Sequence, residues 1–171
     1  MSRFFPDYDP LKFNDTLPPY ADRPFPGVCW MKPQGSTQAF YARLRFTLNE
    51  KTTIRFHVSG DRWFDLRLDG QFITDGPECS DSAHWCYSSF EEELMPGEHE
   101  FFARIVMLPA KLKPWNAMGG NCGFFFFAEA PFTELLSTGA GAWEFAIARS
   151  LVFPEDYGKA IYRLATGIPA E

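Results

Sequence analysis

The sequence predicts an all-β protein, an antiparallel β-sandwich or jelly roll, on three observations. Apolar and polar residues alternate with period two in run after run beyond residue 39, turn-forming residues separate those runs, and only the C-terminal end carries a helical pattern. Ahead of the runs, seven of the 14 prolines fall before Gln34, at Pro6, Pro10, Pro18, Pro19, Pro24, Pro26 and Pro33. Proline fixes φ and removes an amide donor, so residues 1–39 read as an extended arm packed on the domain, with Phe4, Phe5, Phe13 and Trp30 as its anchors.

The sandwich itself is expected over residues 40–150. In Tyr41 to Leu48, Ala42, Leu44, Phe46 and Leu48 alternate with Tyr41, Arg43, Arg45 and Thr47, which turns one face to a core and the other to water. Ile54, Phe56 and Val58 alternate with Arg55, His57 and Ser59 in the same way, and His57 reads as a surface residue. Phe64, Leu66 and Leu68 alternate with Trp63, Asp65 and Arg67 and lead straight into Asp69-Gly70. Asp-Gly accepts the positive φ values of a type I′ turn, so Gln71 to Thr74 should return as the partner strand. Pro96-Gly97 is a further turn, followed by a strand from His99, an edge residue, to Met107, with Phe101, Ala103, Ile105 and Met107 inward. The unbroken apolar run Phe124 to Phe127 suits a strand covered on both faces. Trp143, Phe145 and Ile147 alternate after the Thr138-Gly-Ala-Gly turn. Residues 151–171 form a C-terminal extension with a short helix, opened by Pro154, with Tyr157, Ile161 and Leu164 on one face and Gly167 at its end.

Composition agrees with one domain built on one core. The chain has 171 residues, 46% apolar and 22% charged, and its 19 Phe, 5 Trp and 6 Tyr make the expected core an aromatic one. A net charge of −6 argues against nucleic acid or an anionic membrane as partner, since both demand clustered Lys and Arg. No apolar run approaches the length of a membrane span and the N-terminal residues lack a signal-peptide pattern, so the expected location is cytoplasmic.

Motifs of catalysis are missing: no Gly-x-Ser-x-Gly, no phosphate-binding loop, no His-Glu-x-x-His. The cysteines, Cys29, Cys79, Cys86 and Cys122, show no Cys-x-x-Cys spacing and are expected as free buried thiols, with a Cys79–Cys86 disulfide as the alternative. Cys79, His84 and Cys86 are chemically able to bind zinc, but their spacing fits no zinc module and a fourth ligand is not evident, so no metal or cofactor is expected; a structural calcium is not readable from sequence. Among the carboxylates, Asp65 faces outward on its strand, Asp69 and Asp75 are turn formers, and Glu91 to Glu93 is a solvated run.

What folding does not account for is a cluster of aromatic and polar residues around the hairpin: Arg62 and Trp63 before it, then Asp81, His84, Trp85 and Tyr87 in the long loop after it. Flat rings with hydrogen-bonding neighbours suit sugars, whose C–H faces stack while their hydroxyls bond to Asp, His or Arg. The alternative is that Trp85 and Tyr87 plug the open end of the sandwich or form a docking surface that packs on another domain.

The ordered set Trp30, Phe40-Tyr-Ala-Arg43, Ser59-Gly-Asp-Arg-Trp63, Leu68-Asp-Gly70, Gly76-Pro77, Ser80-Asp81, Trp85 and Tyr87, Pro96-Gly-Glu98, and Thr138 to Trp143 resembles the N-terminal β-sandwich of bacterial alpha-L-rhamnosidases, over residues 28–148. The family's Arg-Tyr and Asn-Gly stand here as Arg62-Trp63 and Asp69-Gly70, and Phe153 to Glu171 departs from the family's approach to its next domain. The resemblance implies a galactose-binding-like jelly roll accompanying a helical-barrel catalytic domain that would hold the acid and base, so no catalytic residue carries over. The leading expectation is a non-catalytic accessory module for carbohydrate binding or support of a glycoside hydrolase domain, its partner a carbohydrate or that neighbouring domain. Its rivals are an interaction scaffold that self-associates as a homo-oligomer, and a small independent glycosidase using Asp81 with a second carboxylate.

Overall fold

A computed structural model describes residues 2–8, 29–34, 39–61, 63–76, 86–106 and 123–149. Along the chain these form β1 (Ser2–Phe4), β2 (Ala39–Leu48), β3 (Thr52–Gly60), β4 (Trp63–Leu68), β5 (Gln71–Gly76), β6 (Ser88–Leu94), β7 (Gly97–Val106), β8 (Phe124–Ala128), the helical turn α1 (Thr133–Leu136) and β9 (Glu144–Ile147). Every pairing is antiparallel, and the strands divide into a four-stranded sheet, β1-β6-β3-β8, and a five-stranded one, β5-β4-β7-β2-β9. The expected β-sandwich is therefore the observed architecture.

Between the sheets lies the aromatic core. Phe40, Phe56, Phe64, Phe101, Phe124 and Phe126 are fully buried, each supplied by an inward position of its strand. Phe126 is at its centre, with ring centroids 4.7 Å from Phe101, 5.1 Å from Phe56 and 5.3 Å from Trp143. Phe124 to Phe126 are buried on both faces of β8, as the unbroken apolar run predicts, because Trp30 covers Phe125 from outside the sandwich at 5.5 Å.

The Asp69-Gly70 turn has φ of 51° and 78°, the left-handed values that the sequence demands. It is tied to the start of β7: Asp69 accepts the Glu100 amide at 2.8 Å and bonds His99 Nδ1 at 2.8 Å. α1 was not expected from periodicity, being one turn long. Its C-terminal flank is fixed by side chains, with Ser137 accepting the Ala128 amide at 3.0 Å and Thr138 donating to the Cys29 carbonyl at 2.7 Å.

Several expectations are corrected. Ser2–Phe4 pairs with β6 as an edge strand, and Phe5 is 86% exposed instead of anchoring the arm. Cys29 is an exposed free thiol, not a buried one, while Cys86 is free and half-buried. Ile147 is exposed although Trp143 and Phe145 pack on the core. Glu91 to Glu93 belongs to β6: Glu91 pairs with Arg55 at 2.6 Å, Glu93 with Lys51 at 2.7 Å, and Glu92 is half-buried on the side of Phe90 and Leu94. Asp65 points away from the core as expected yet is buried, and His57, expected at the surface, is fully buried. The physical reason is common to both: alternation reveals which face a side chain takes, not what lies over that face. Phe13, Cys79, Met107, Cys122 and the helix expected within 151–171 lie outside the described residues. Among the described residues no helix is long and apolar enough to cross a membrane.

Candidate functional site

The outer face of the five-stranded sheet collects aromatic rings and paired charges in cross-strand rows. Its side chains come from the polar positions of β2, β4, β7 and β9, forced outward because Leu44, Leu66, Ala103 and their alternates fill the core. In one row Tyr41, Arg104 and Asp65 are register neighbours, and in the next Arg43, Phe102 and Arg67 are. The Arg104 guanidinium lies 5.1 Å from the centroid of Trp63. Its Nε and Nη2 donate to Asp65 Oδ2 at 2.8 and 2.7 Å, so one buried carboxylate fixes the cation over the ring. Beside them Tyr41 stacks on Phe102 at 5.5 Å with planes 28° apart.

Charge continues across the sheet. Arg43 Nε donates to Glu144 at 3.0 Å, Arg45 Nε donates to Glu100 at 2.9 Å, and Arg67 reaches Asp65 only at 3.6 Å. The Glu144 hydrogen bond raises the Arg43 pKa, and the same bond holds the Glu144 carboxyl below its ordinary range.

Tyr87 lies elsewhere, immediately before β6 of the other sheet, with its ring edge-on to His57 at 5.6 Å. It borders a recess at the end of the sandwich together with Ser59, Phe64, Asp75, Gly76 and Cys86. Gly76 and Cys86, which flank positions 77–85 in the sequence, both line it. The enclosed space is only about 10 Å³, room for little more than a water molecule and far below the ~300 Å³ of pockets that engulf a ligand.

Behind Tyr87, His57 is bonded to Ser89 Oγ through Nδ1 at 2.8 Å and to Glu129 through Nε2 at 2.9 Å, and Tyr8 donates to the same Glu129 oxygen. Burial lowers the His57 pKa and outweighs the attraction of Glu129. Serine, histidine and carboxylate in series suggest a hydrolytic relay, but Ser89 is only 3% exposed in mid-strand, beside a His57 enclosed by Phe4, Tyr87 and Phe127. A nucleophile so enclosed meets no substrate, and the trio instead satisfies buried polar groups.

Of the six residues singled out by sequence, Trp63 stands on β4 of the five-stranded sheet and Tyr87 just before β6 of the other, so the structure does not bring them together, and Arg62, Asp81, His84 and Trp85 lie outside the described residues. The structure adds Tyr41, Arg43, Asp65, Phe102 and Arg104. Their signal in the sequence was the presence of rings and arginines at outward positions of predicted strands, which says nothing of which strands are neighbours. Among the described residues no three His, Cys, Asp or Glu side chains converge to hold a metal ion.

The fold is similar to part of the GH78 family rhamnosidase of Bacillus sp. GL1, with a TM-score of 0.59 at 19% identity, covering 74% of this chain and 14% of the enzyme. This chain thus spans a small part of that protein's length, and at such identity the likeness establishes the fold. Weaker similarities are to the Streptomyces avermitilis alpha-L-rhamnosidase (TM-score 0.47, 16% identity, 76% of this chain, 13% of that one) and to the Pleurotus ostreatus lectin (0.46, 12%, 77% and 36%). No protein-family model and no curated protein sequence matches the chain.

Proposed function

We propose that this chain is a non-catalytic, galactose-binding-like β-sandwich module of a rhamnosidase-like protein, which recognises carbohydrate beside a glycoside hydrolase domain or supports that domain. The observation that carries the reading is the Trp63–Arg104–Asp65 assembly on an outer sheet face. Its components are ordered before any ligand arrives: the carboxylate aims the guanidinium and the guanidinium packs on the ring. A sugar laid on this face stacks a C–H face on Tyr41, Phe102 or the free edge of Trp63 and hydrogen-bonds its hydroxyls to the arginines, with little side-chain entropy left to lose. The ordered motif set of the sequence and the fold shared with a part of the Bacillus enzyme support the same reading. Arg62, Asp81, His84, Trp85 and Tyr87 are proposed, with Trp63, as further carbohydrate-binding or docking residues.

Calorimetry with rhamnose- and galactose-containing saccharides tests it. Saccharide binding that falls about tenfold in Trp63→Ala, a loss of ~1.4 kcal/mol, is the expected result, and absence of binding to every saccharide removes the recognition role. A self-associating scaffold is the second reading, favoured by the two edge strands of the five-stranded sheet: Phe72 on β5 and Ile147 on β9 are 57% and 40% exposed. Sedimentation that stays monomeric across a wide concentration range removes it.

A further inference from the structure

The N-terminal segment covers part of the outside of the four-stranded sheet, and what it covers is a histidine. β3 is an interior strand between β6 and β8 whose Ile54, Phe56 and Val58 fill the core, so His57 points outward. It is nevertheless fully buried. Three rings enclose it: Phe127 stacks on it at 5.7 Å, Tyr87 meets it edge-on at 5.6 Å, and Phe4 of β1 meets it edge-on at 6.1 Å. The titratable and charged groups that face it are Glu129, bonded to Nε2, Tyr8, which donates to the same carboxylate, Tyr87, and Arg55 on its own strand with the ion partner Glu91. Ser89 Oγ bonds Nδ1, and β1 contributes Phe4, with Arg3 at the alternate, opposite-facing position.

These covers are not equally secure. Phe127 belongs to β8, whose Phe124, Phe125 and Phe126 are buried, and Tyr87 leads straight into β6, which pairs with β3 from Ser88 to Leu94. β1 is three residues long at the sheet edge, with Ser2 and Arg3 exposed and Phe5 86% exposed. Two fastenings hold this segment: Phe4 lies between His57 and the Arg55 guanidinium, 5.5 Å from its ring, and Tyr8 donates to Glu129. Both end on the surroundings of His57. A proton added to that ring makes both nitrogens donors, and Ser89 Oγ and Glu129 accept both bonds. The new charge, however, is shut away from water, beside a carboxylate that is 24% exposed and shared with Tyr8. Burial already outweighs Glu129 and holds the His57 pKa below its ordinary value. The other side of β3 is core, so the least costly way to bring water to the ring is to lift β1.

We propose that residues 2–8 form a proton-operated strap: neutral His57 keeps β1 on the edge of β6 with Phe4 over the ring, and protonated His57 releases both. The inference is independent of carbohydrate binding on the other sheet. Its sign follows from linkage, since the open form accepts the proton more readily: the strap is closed above pH 6.5 and opens as pH falls through 6.5 toward the folded value. The coupling is reciprocal, so whatever loosens the strap must make His57 easier to protonate. Opening bares the edge of β6 together with Tyr87 and Phe127, an aromatic strand-edge surface that is covered at neutral pH.

The test uses the whole chain and two readouts: amide hydrogen exchange of residues 2–5, corrected for the chemical rate at each pH, and NMR titration of the histidine ring signal that disappears in His57→Gln. From about pH 7.5 to about pH 5.5 strap opening should rise about tenfold, while the amides of Phe56 and Phe90 in β3 and β6 stay protected. In His57→Gln the strap should lose this pH dependence. In Phe4→Ala the His57 pKa should climb by at least about half a unit toward 6.5, and Phe4→Leu, which keeps an apolar cover, should hold it near the parent value. Strap exchange that is flat with pH in the parent, or that rises equally in His57→Gln, overturns the inference. So does exchange of residues 2–5 that rises in step with Phe56 and Phe90, because acid would then be loosening the whole sheet. A His57 titration unmoved in Phe4→Ala overturns it too, by showing that β1 is not what keeps the ring dry.

Discussion

Asp65 and Arg104 are the pair whose energetics decide whether the outer sheet face is a prearranged surface. Asp65 is 4% exposed and receives two hydrogen bonds from Arg104, at 2.8 and 2.7 Å; Arg67, at 3.6 Å, is a poor substitute. Replacing Asp65 by Asn keeps the volume but deprives Arg104 of its anion, and hydrogen bonds to charged groups contribute ~1.5 to 3 kcal/mol. The Arg104 side chain remains 41% exposed, so water takes up part of what is lost and the expected cost falls to about 1 to 2 kcal/mol. Arg104→Met should cost more, about 2 to 3 kcal/mol, because it leaves a buried carboxylate with little compensation and removes the cation from Trp63. In a double-mutant cycle followed by urea denaturation, the two changes should couple by at least ~1 kcal/mol. Coupling below ~0.3 kcal/mol would refute the reasoning, since the pair would then be an ordinary surface contact with no power to fix the face.

Two histidines should shape the pH dependence of stability in opposite directions. Burial depresses the pKa of His57 below its usual 6.5, so the fold favours the neutral ring; His57 therefore contributes fully above pH 6.5, and that contribution is lost as pH falls through 6.5 toward the folded value. For His99, burial opposes the charge, but the Asp69 hydrogen bond, the Met95 carbonyl and the Asp69 charge outweigh it and the pKa rises; its contribution is complete below pH 6.5 and disappears as pH rises through the folded value. Urea midpoints between pH 5 and 8 should thus lose their acid-side slope in His57→Gln and their alkaline-side decline in His99→Gln, and slopes unchanged in either variant would contradict these assignments. Gly141→Ala should destabilise by ~1 to 3 kcal/mol in thermal melts, because the added methyl meets the Leu135 carbonyl oxygen at 2.5 Å on backbone that cannot swing away. A melting temperature within a degree of the parent would show that this corner is looser than it is drawn.

Local chemistry made much of the scaffold readable in the sequence. Ala42 to Leu48 and Phe64 to Leu68 alternate so regularly that their core faces were assigned residue by residue, and Asp69-Gly70 takes the backbone angles that its composition demands. The apolar run at Phe124 announced a strand buried on both sides for the same reason. α1 escaped because one helical turn has no period to detect, and the edge strand Ser2–Phe4 escaped because its partners on β6, Glu91 for Ser2 and Ser89 for Phe4, are far away in sequence, with no local mark.

The candidate site divides along the same line. Sequence marked Trp63 as a ring on a polar face, and strand period gave it that orientation. The partner that makes it a functional candidate, Arg104, lies on β7 and becomes its neighbour only when β4 and β7 pair. Asp65 and His57 were assigned to outer faces, which holds, and to water, which does not, because their covers come from other strands and from the N-terminal segment. By itself the sequence determined that this chain alternates, turns and stacks into an aromatic β-sandwich, since those are properties of neighbours along the backbone. Only the tertiary structure decided that Tyr41, Arg43, Trp63, Asp65, Arg67, Phe102 and Arg104 share one surface, because strand order is set by how the whole core closes.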